Sequence, residues 1–168
     1  MTFMQNINFG QASSGGTSGA NKLPSADATY LLRFDGAVVE PSTNPQTINQ
    51  PIFKATFTVI ESTHPEVAVN SVRSWTQNLM QSFGDRQYGV ENTKQLLAAL
   101  YGLQPGTPDA DALDNPEFEF ALQGNLNGEM VRCTTVPKVS KAGRAWTLHI
   151  FAPTVEDEDD AYEGHGEG

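Results

Sequence analysis

The sequence predicts a mainly β domain in which five strands form a small barrel and one α-helix lies between the third and fourth strands. Three observations support this prediction. Apolar and polar residues alternate with a period of two in several segments, which is typical of strands with one buried face. A helical period of about 3.6 is clear in one segment. Turns rich in glycine, proline and aspartate separate the segments at short intervals.

The first strand begins at Ala28, and its apolar positions alternate as far as Gly36. A glycine inside a strand indicates a bulge or a sharp bend, as a small barrel needs at a corner. The second strand covers Ile52 to Ser62, and the third covers Val69 to Leu79. On the third strand, one face is predicted to present Arg73, Trp75 and Gln77.

The helical period covers Val90 to Tyr101. Gly102 then stands where a left-handed residue commonly closes a helix. After a loop rich in proline and aspartate, the alternation of Glu117 to Leu122 predicts a short strand. The last two strands are predicted to form a hairpin: Glu129 to Val136 and Ala145 to Pro153.

Five antiparallel strands with a helix between the third and fourth have the connectivity of the OB fold, a partly open barrel that holds oligonucleotides or oligosaccharides. We expect this domain to span residues 27–154, which is a usual length for one domain. Residues 1–26 are predicted to be a flexible arm rich in Gly and Ser. The arm starts with a short apolar head that either packs on a neighbouring subunit or frays: Phe3, Met4, Ile7 and Phe9.

Charge is distributed unevenly along the chain. The formal net charge is −10, but seven of the twenty acidic residues lie in the last fourteen residues, 155–168, which contain no Lys or Arg. Such a block of like charge is expected to be a solvated, disordered tail. In contrast, four of the ten cations lie between Arg132 and Arg144, a stretch without any acid. A cationic hairpin beside a tethered polyanion indicates binding of a polyanion with which the tail competes.

The sequence gives little support for catalysis, and we expect neither an enzyme nor a cofactor or metal site. Its only cysteine, Cys133, is predicted to be a buried and inert thiol. The three histidines have no spacing suited to a metal ion, and no phosphate-binding loop or nucleophile motif is present. Without a signal peptide or an apolar run of membrane-spanning length, the protein is expected to be soluble and cytoplasmic.

Binding of single-stranded nucleic acid requires cations that meet phosphates and aromatic faces on which bases stack. Both are available. We expect Arg73 and Trp75 to project side by side next to Lys54, while the loop between the last two strands supplies three cations. For both tryptophans the alternative is a place in the core. The predicted DNA-binding residues are Arg33, Lys54, Arg73, Trp75, Arg132, Lys138, Lys141, Arg144 and Trp146.

The acidic tail has two expected roles. It occupies the cationic sites weakly until DNA displaces it, and it raises the threshold for weak binding sites. Once displaced, it is available to partner proteins with basic grooves. The predicted partner-binding residues are Glu156, Asp157, Glu158, Asp159, Asp160 and Tyr162.

The order of these segments resembles the phage-encoded single-stranded DNA-binding proteins of the OB fold over about residues 28–165. The resemblance implies coating of single-stranded DNA during replication, recombination and repair, and an acidic tail that contacts the replication machinery. Many such tails end in an aromatic residue, whereas this one ends Gly-His-Gly-Glu-Gly. The resembling segments are YLLRFDGAVV, IFKATFTVIES, SVRSWTQNL, GVENTKQLLAALYGL and GEMVRCTTVPKVSKAGRAWTLHIFAP, followed by the acidic end.

Two other functions fit the same pattern. One is a protein-interaction module of the same fold, for instance an inhibitor whose acidic tail mimics DNA and binds a basic host protein. The other is a sugar-binding OB domain, whose aromatic platforms would look the same in sequence. The sequence leaves the oligomeric state open, with a homodimer as one alternative.

Overall fold

A computed structural model describes residues 21–154 of the chain. The predicted acidic tail and the first twenty residues of the predicted arm lie outside the described residues. Within them the protein is mainly β, with five strands as predicted, and three helices lie between the third and fourth strands where one was predicted. The elements in chain order are β1 (Ala28–Pro41), β2 (Pro51–Ser62), β3 (Val72–Asn78), α1 (Tyr88–Leu100), α2 (Pro108–Asp111), α3 (Asn115–Leu122), β4 (Met130–Val139) and β5 (Ala145–Pro153).

The five strands form one antiparallel sheet in the order β3-β2-β1-β4-β5, and this sheet is not closed. Strands β3 and β5 are therefore its two edges. Aromatic rings nevertheless connect them, because the ring centroid of Trp75 on β3 lies 5.0 Å from that of Phe151 and 6.2 Å from that of His149, both on β5. The two edges are thus joined through packed side chains, and we call the space between them the β3–β5 seam.

Strand β1 is bent at Gly36, which confirms the predicted bulge. Gly36 has φ of 138°, a conformation that L side chains rarely adopt, and the register with β2 shifts between Phe34 and Gly36. Before the bend, β1 pairs with both β2 and β4; after it, β1 pairs with β2. The inward-facing residues of β1, β2 and β4 form the centre of the core, with Phe34 and Phe57 in edge-to-face contact at 5.9 Å.

Helix α1 is confirmed close to its predicted limits. It buries Leu96, Leu97 and Leu100 in the core, and Gly102 beyond it has φ of 77°, the left-handed conformation predicted there. At the start of α1, Gly89 lies against the end of β3, where an added Cβ would stand 1.8 Å from the carbonyl oxygen of Asn78. No side chain fits at this position without movement of the backbone.

The prediction of a strand over Glu117–Leu122 is wrong, because these residues form helix α3. The physical reason lies just upstream, in residues that favour a helix start. The Asp114 side chain accepts a hydrogen bond from the N–H of Asn115, and the Glu117 side chain accepts one from the N–H of Asp114, with Pro116 in the first turn. A capping box with an early proline is a strong helix start, and it overrides the alternation of Glu and Phe.

The last residues of the predicted flexible arm are bound to the sheet. The N–H of Ser74 donates to the carbonyl oxygen of Asn21 at 2.7 Å, and Arg73 Nη1 donates to that of Lys22 at 2.9 Å. The Thr135 hydroxyl donates to the carbonyl oxygen of Ala26 at 2.7 Å. Residues before the predicted boundary at residue 27 are therefore attached to the sheet.

Candidate nucleic-acid interface

The hairpin of β4 and β5 extends beyond the core. All ten residues from Pro137 to Trp146 are exposed to solvent. The turn is nevertheless well defined, because the Ser140 N–H donates to the carbonyl oxygen of Arg144, and the Gly143 N–H donates to that of Ser140. Gly143 has φ of 84°, so a glycine suits this turn. The result is an ordered arm on which most side chains are available to a ligand.

One face of this arm combines a cation with an aromatic ring. Lys138 on β4 is paired directly with Trp146 on β5. Side chains of directly opposite residues lie on the same face, with Cβ atoms about 5 Å apart. Trp146 is 47% exposed. The indole face beside the ammonium group is thus accessible to a flat ligand carrying negative charge.

The same face continues toward the base of the hairpin. Alternation along β4 places Arg132 on the side of Lys138, six residues away, which corresponds to about 20 Å along the strand. Exposed Ile150, on β5, lies on this side too. Lys141 and Arg144 are exposed at the tip. Four of the predicted cations, with Trp146, are therefore brought together on one hairpin.

The charge of this hairpin contrasts with that of the rest of the described domain. From Met130 to Pro153 there are four cations and no acidic residue, whereas the other described residues hold six cations and thirteen acids. Because exposed charges separated by more than about 8 Å are largely screened at physiological ionic strength, the local balance governs a bound polyanion more than the total charge does. The hairpin is the positively charged part of an acidic domain.

Arg33 lies on the outer face of the sheet at the foot of the hairpin, opposite Met130 on β4. Its guanidinium group is engaged, since Nε forms an ion pair with the Asp35 carboxylate at 2.9 Å and Nη2 donates to the Thr58 hydroxyl at 3.1 Å. The Thr58 hydroxyl in turn donates to Asp35. This closed network offsets the charge of Arg33, which makes it a weak contact for phosphate.

The prediction that Trp75 lies on an exposed face of β3 is wrong. Trp75 is 7% exposed and packs in the core, in edge-to-face contact with Phe53 and Phe151. Its face of β3 is the one that points inward, opposite Ala55. The alternative of a core tryptophan, which the sequence left open, is the one that the structure adopts.

The predicted cluster of Lys54, Arg73 and Trp75 is not formed either. Lys54 is paired with Thr76, so it lies on the opposite face of the sheet from Trp75. Arg73 is on the inward face at the start of β3, where it donates to the carbonyl oxygen of Lys22. It therefore anchors the N-terminal segment.

A groove of about 230 Å³ runs along the β3–β5 seam, at the base of the hairpin. Its lining is mostly polar and includes Thr76, Gln77, Thr147 and His149. Burial lowers the pKa of His149, against a smaller opposing effect of a backbone hydrogen bond at Thr147. Burial thus disfavours a charge on His149, while Lys22, which also lines the groove, brings one cation to the seam.

An exposed aromatic residue that the sequence analysis missed lies in the turn after β3. Phe83 is 76% exposed, and its backbone exchanges two hydrogen bonds with Arg86. The Arg86 guanidinium group stands 4.4 Å from the ring centroid of Tyr88 and pairs with Glu91 at 2.7 Å. The sequence Phe-Gly-Asp-Arg could have indicated the exposure of Phe83, because Gly-Asp marks a turn that leaves the preceding aromatic ring in solvent.

Residues 21–154 hold no group of three or more His, Cys, Asp or Glu side chains placed to bind a metal ion. Cys133 is buried, as predicted, and burial raises the pKa of its thiol to about 12. None of the helices in this range is long and apolar enough to cross a membrane. The predicted partner-binding residues of the tail lie outside the described residues.

Comparison with known proteins gives no family to which the chain can be assigned. No protein-family model matches it, and no curated protein sequence matches it.

Proposed function

We propose that this protein binds single-stranded DNA without preference for sequence, through the β4–β5 hairpin, and that it has no enzymatic activity. The observation that carries this proposal is the exposed, acid-free hairpin on which Trp146 stands beside Lys138. Cations and an aromatic face are the two components of single-strand recognition. Both are presented on one ordered arm.

The proposed fold is the OB barrel. Its support is the strand order β3-β2-β1-β4-β5, the helix between the third and fourth strands, and the bend of β1 at Gly36. In this fold the loop between the fourth and fifth strands is one of the ligand-binding loops. The cationic tip at Lys141 and Arg144 belongs to that loop.

Each part of the hairpin has a distinct role in the proposed complex. Arg132, Lys138, Lys141 and Arg144 neutralise phosphates and release condensed counterions, which gives affinity that is independent of sequence. Trp146 stacks on one base and contributes about 1–3 kcal/mol. Every base has a π-face, so stacking is tolerant of sequence as well.

The setting follows from the sequence resemblance. We propose that the protein coats single-stranded DNA in the replication, recombination and repair of a phage genome, in the cytoplasm of the host. The acidic tail, residues 155–168, tempers DNA binding and contacts replication or recombination proteins. Support for the first of these tail functions is its charge, since seven carboxylates are tethered to a domain with one cationic arm.

The test is fluorescence anisotropy with labelled oligo-dT at several salt concentrations. With four hairpin cations in contact, the slope of log affinity against log salt should be about −3, from roughly −0.7 per phosphate contact on single strands. Duplex DNA of equal length should bind more weakly, because its bases are not available to Trp146. A flat response to salt, or equal affinity for duplex, would contradict the proposal.

A pair of matched variants assigns the contact to the hairpin. Lys141→Ala with Arg144→Ala removes two tip cations and should reduce the slope to about −1.5 by the same relation. Arg86→Ala with Lys94→Ala removes the same charge outside the hairpin and should leave the slope near −3. If the two variants behave alike, the hairpin is not the site. Retention of a basic protein, with no affinity for DNA, would favour the DNA-mimicking inhibitor instead.

A further inference from the structure

An apolar groove lies on the domain away from the hairpin, between α1 and the segment that leads into α3. Its volume is about 240 Å³. Apolar side chains provide most of its lining: Leu79, Val90, Leu97, Leu113 and Phe118. A cavity of about 150 Å³ with such a lining accepts a benzene ring. The groove is therefore large enough for one aromatic side chain.

The groove is open at its rim. Val90, which lines it, is 42% exposed. Leu113 and Phe118 are only partly buried against the core. Covering these side chains would remove apolar surface from water, which is favourable by about 25 cal/mol per Å². An apolar occupant therefore fits the apolar part of the groove, beside Lys94 and Asp114, which also line it.

The first nine residues of the chain have this character. They contain five large apolar residues and no charged side chain: Met1, Phe3, Met4, Ile7 and Phe9. The described chain begins at Asn21, whose carbonyl oxygen accepts a hydrogen bond from Ser74 on β3. Leu79, which lines the groove, follows Ser74 by five residues. An extended strand of that length covers about 16 Å.

The chain between the head and Asn21 has a suitable length. Gly and Ser make up seven of the eleven residues 10–20. A linker of this composition has a root-mean-square span of about 5–6 Å multiplied by the square root of its length, or about 18 Å. Effective concentration is highest when this span matches the distance between sites. The span of this linker is thus close to the distance of about 16 Å between Ser74 and Leu79 at the groove.

We propose that the apolar head of residues 1–9 docks in the groove between α1 and α3 of its own chain, with Phe3 or Phe9 inserted between Val90 and Leu113. This docking would attach the N-terminus to the face of the barrel that carries the helices, leaving the hairpin accessible. The inference does not depend on the proposed DNA binding, because neither the groove nor the head belongs to the hairpin.

The experiment is paramagnetic broadening in the full-length protein. A nitroxide is attached at Gln5→Cys, and the buried native Cys133 limits labelling elsewhere. We expect strong broadening of the methyl signals of Val90, Leu97 and Leu113. No broadening at the groove, or broadening spread evenly over the surface, would overturn the proposal.

Two controls make the result specific. Val90→Asp places a charge on the groove and should abolish the broadening of Leu97 and Leu113, whereas Val69→Asp, at a valine that is 55% exposed elsewhere, should leave it intact. A mixture of nitroxide-labelled protein with isotope-labelled, nitroxide-free protein should show no broadening. Broadening in the mixture would mean that the head of a second copy occupies the groove, which also overturns the proposal.

Discussion

The two tryptophans of the chain should respond differently when single-stranded DNA binds, because one is in the core and the other is on the hairpin. Replacing Trp75 by Phe leaves Trp146 as the only tryptophan, and replacing Trp146 by Phe leaves Trp75. In the Trp75→Phe protein, oligo-dT should quench the fluorescence, since a base stacks on the exposed indole. In the Trp146→Phe protein, oligo-dT should leave the fluorescence nearly unchanged.

Truncation to alanine separates stability from binding at the same two positions. Trp75 is 7% exposed and contacts the rings of Phe53, His149 and Phe151, so Trp75→Ala should lower the free energy of unfolding by about 3–5 kcal/mol. Trp146 is 47% exposed, and Trp146→Ala should change stability by about 0.5 kcal/mol or less. Loss of one stacked base, about 1–3 kcal/mol, should instead weaken DNA affinity by roughly 5-fold to 150-fold.

Urea denaturation followed by circular dichroism measures the first effect, and anisotropy with labelled oligo-dT measures the second. The affinity of Trp75→Ala is measured at a temperature where the variant is folded, and it should be close to that of the parent protein. The reverse pattern, in which Trp75→Ala keeps its stability and loses DNA affinity, would refute these assignments. Quenching by oligo-dT in the Trp146→Phe protein, where Trp75 is the remaining tryptophan, would refute them as well.

Three further predictions concern the tail, a glycine and a histidine. Deletion of residues 155–168 removes seven competing carboxylates, so oligo-dT affinity should rise at low salt and the gain should shrink as salt screens the charges; weaker binding after deletion would contradict the proposed role of the tail. Gly89→Ala should lower the free energy of unfolding by about 1–3 kcal/mol or more in urea denaturation, because the added Cβ would stand 1.8 Å from the Asn78 carbonyl oxygen; an unchanged midpoint would show that the backbone yields there. Burial lowers the pKa of His149 in the folded state, so the unfolded state binds the proton more readily, and stability should fall as the pH drops below the ordinary value of 6.5. His149→Gln should lose this part of the pH dependence, and identical pH profiles would contradict the assignment.

The sequence predicted the strands and the main helix well because their signals are local. The alternation of Tyr30, Leu32 and Phe34 matches three buried positions, and Gly36 marks the bend. Helix α3 was predicted wrongly because two phenylalanines, Phe118 and Phe120, repeat with a period of two. The capping residues just before them decided the structure, and those signals were also local.

The faces of β3 could not be predicted in the same way. Trp75 was correctly placed on one face with Arg73 and Gln77, but alternation alone does not tell which face is inside. Both neighbours of Trp75 on that face are polar, which made it look like a solvent face. They lie toward the ends of a seven-residue strand, where Gln77 lines the seam and Arg73 donates to the Lys22 carbonyl oxygen, and only the tryptophan in the middle enters the core.

The binding of Asn21 and Lys22 to β3 was also beyond the sequence, for a different physical reason. The carbonyl oxygens of these two residues accept the hydrogen bonds, from the Ser74 backbone and the Arg73 side chain. Every residue has a carbonyl oxygen, so no residue type on the arm signals the contact. Arg73 was predicted to bind DNA because the sequence gives no sign of its acceptor, the carbonyl oxygen of Lys22.

The hairpin, in contrast, could be recognised from the sequence, because its residue composition alone indicates a cationic segment. Ten consecutive exposed residues, 137–146, make few contacts with the core, so their identity is weakly constrained by folding. An acid-free run of cations with a half-exposed tryptophan, in a domain whose other described residues are predominantly acidic, is therefore not explained by stability. Because exposed charges contribute little to the folded state, substitution of Lys141 or Arg144 can alter affinity for a polyanion while the sheet remains intact. This separation makes the hairpin the part of the molecule where a binding function can be tested without disturbing the fold.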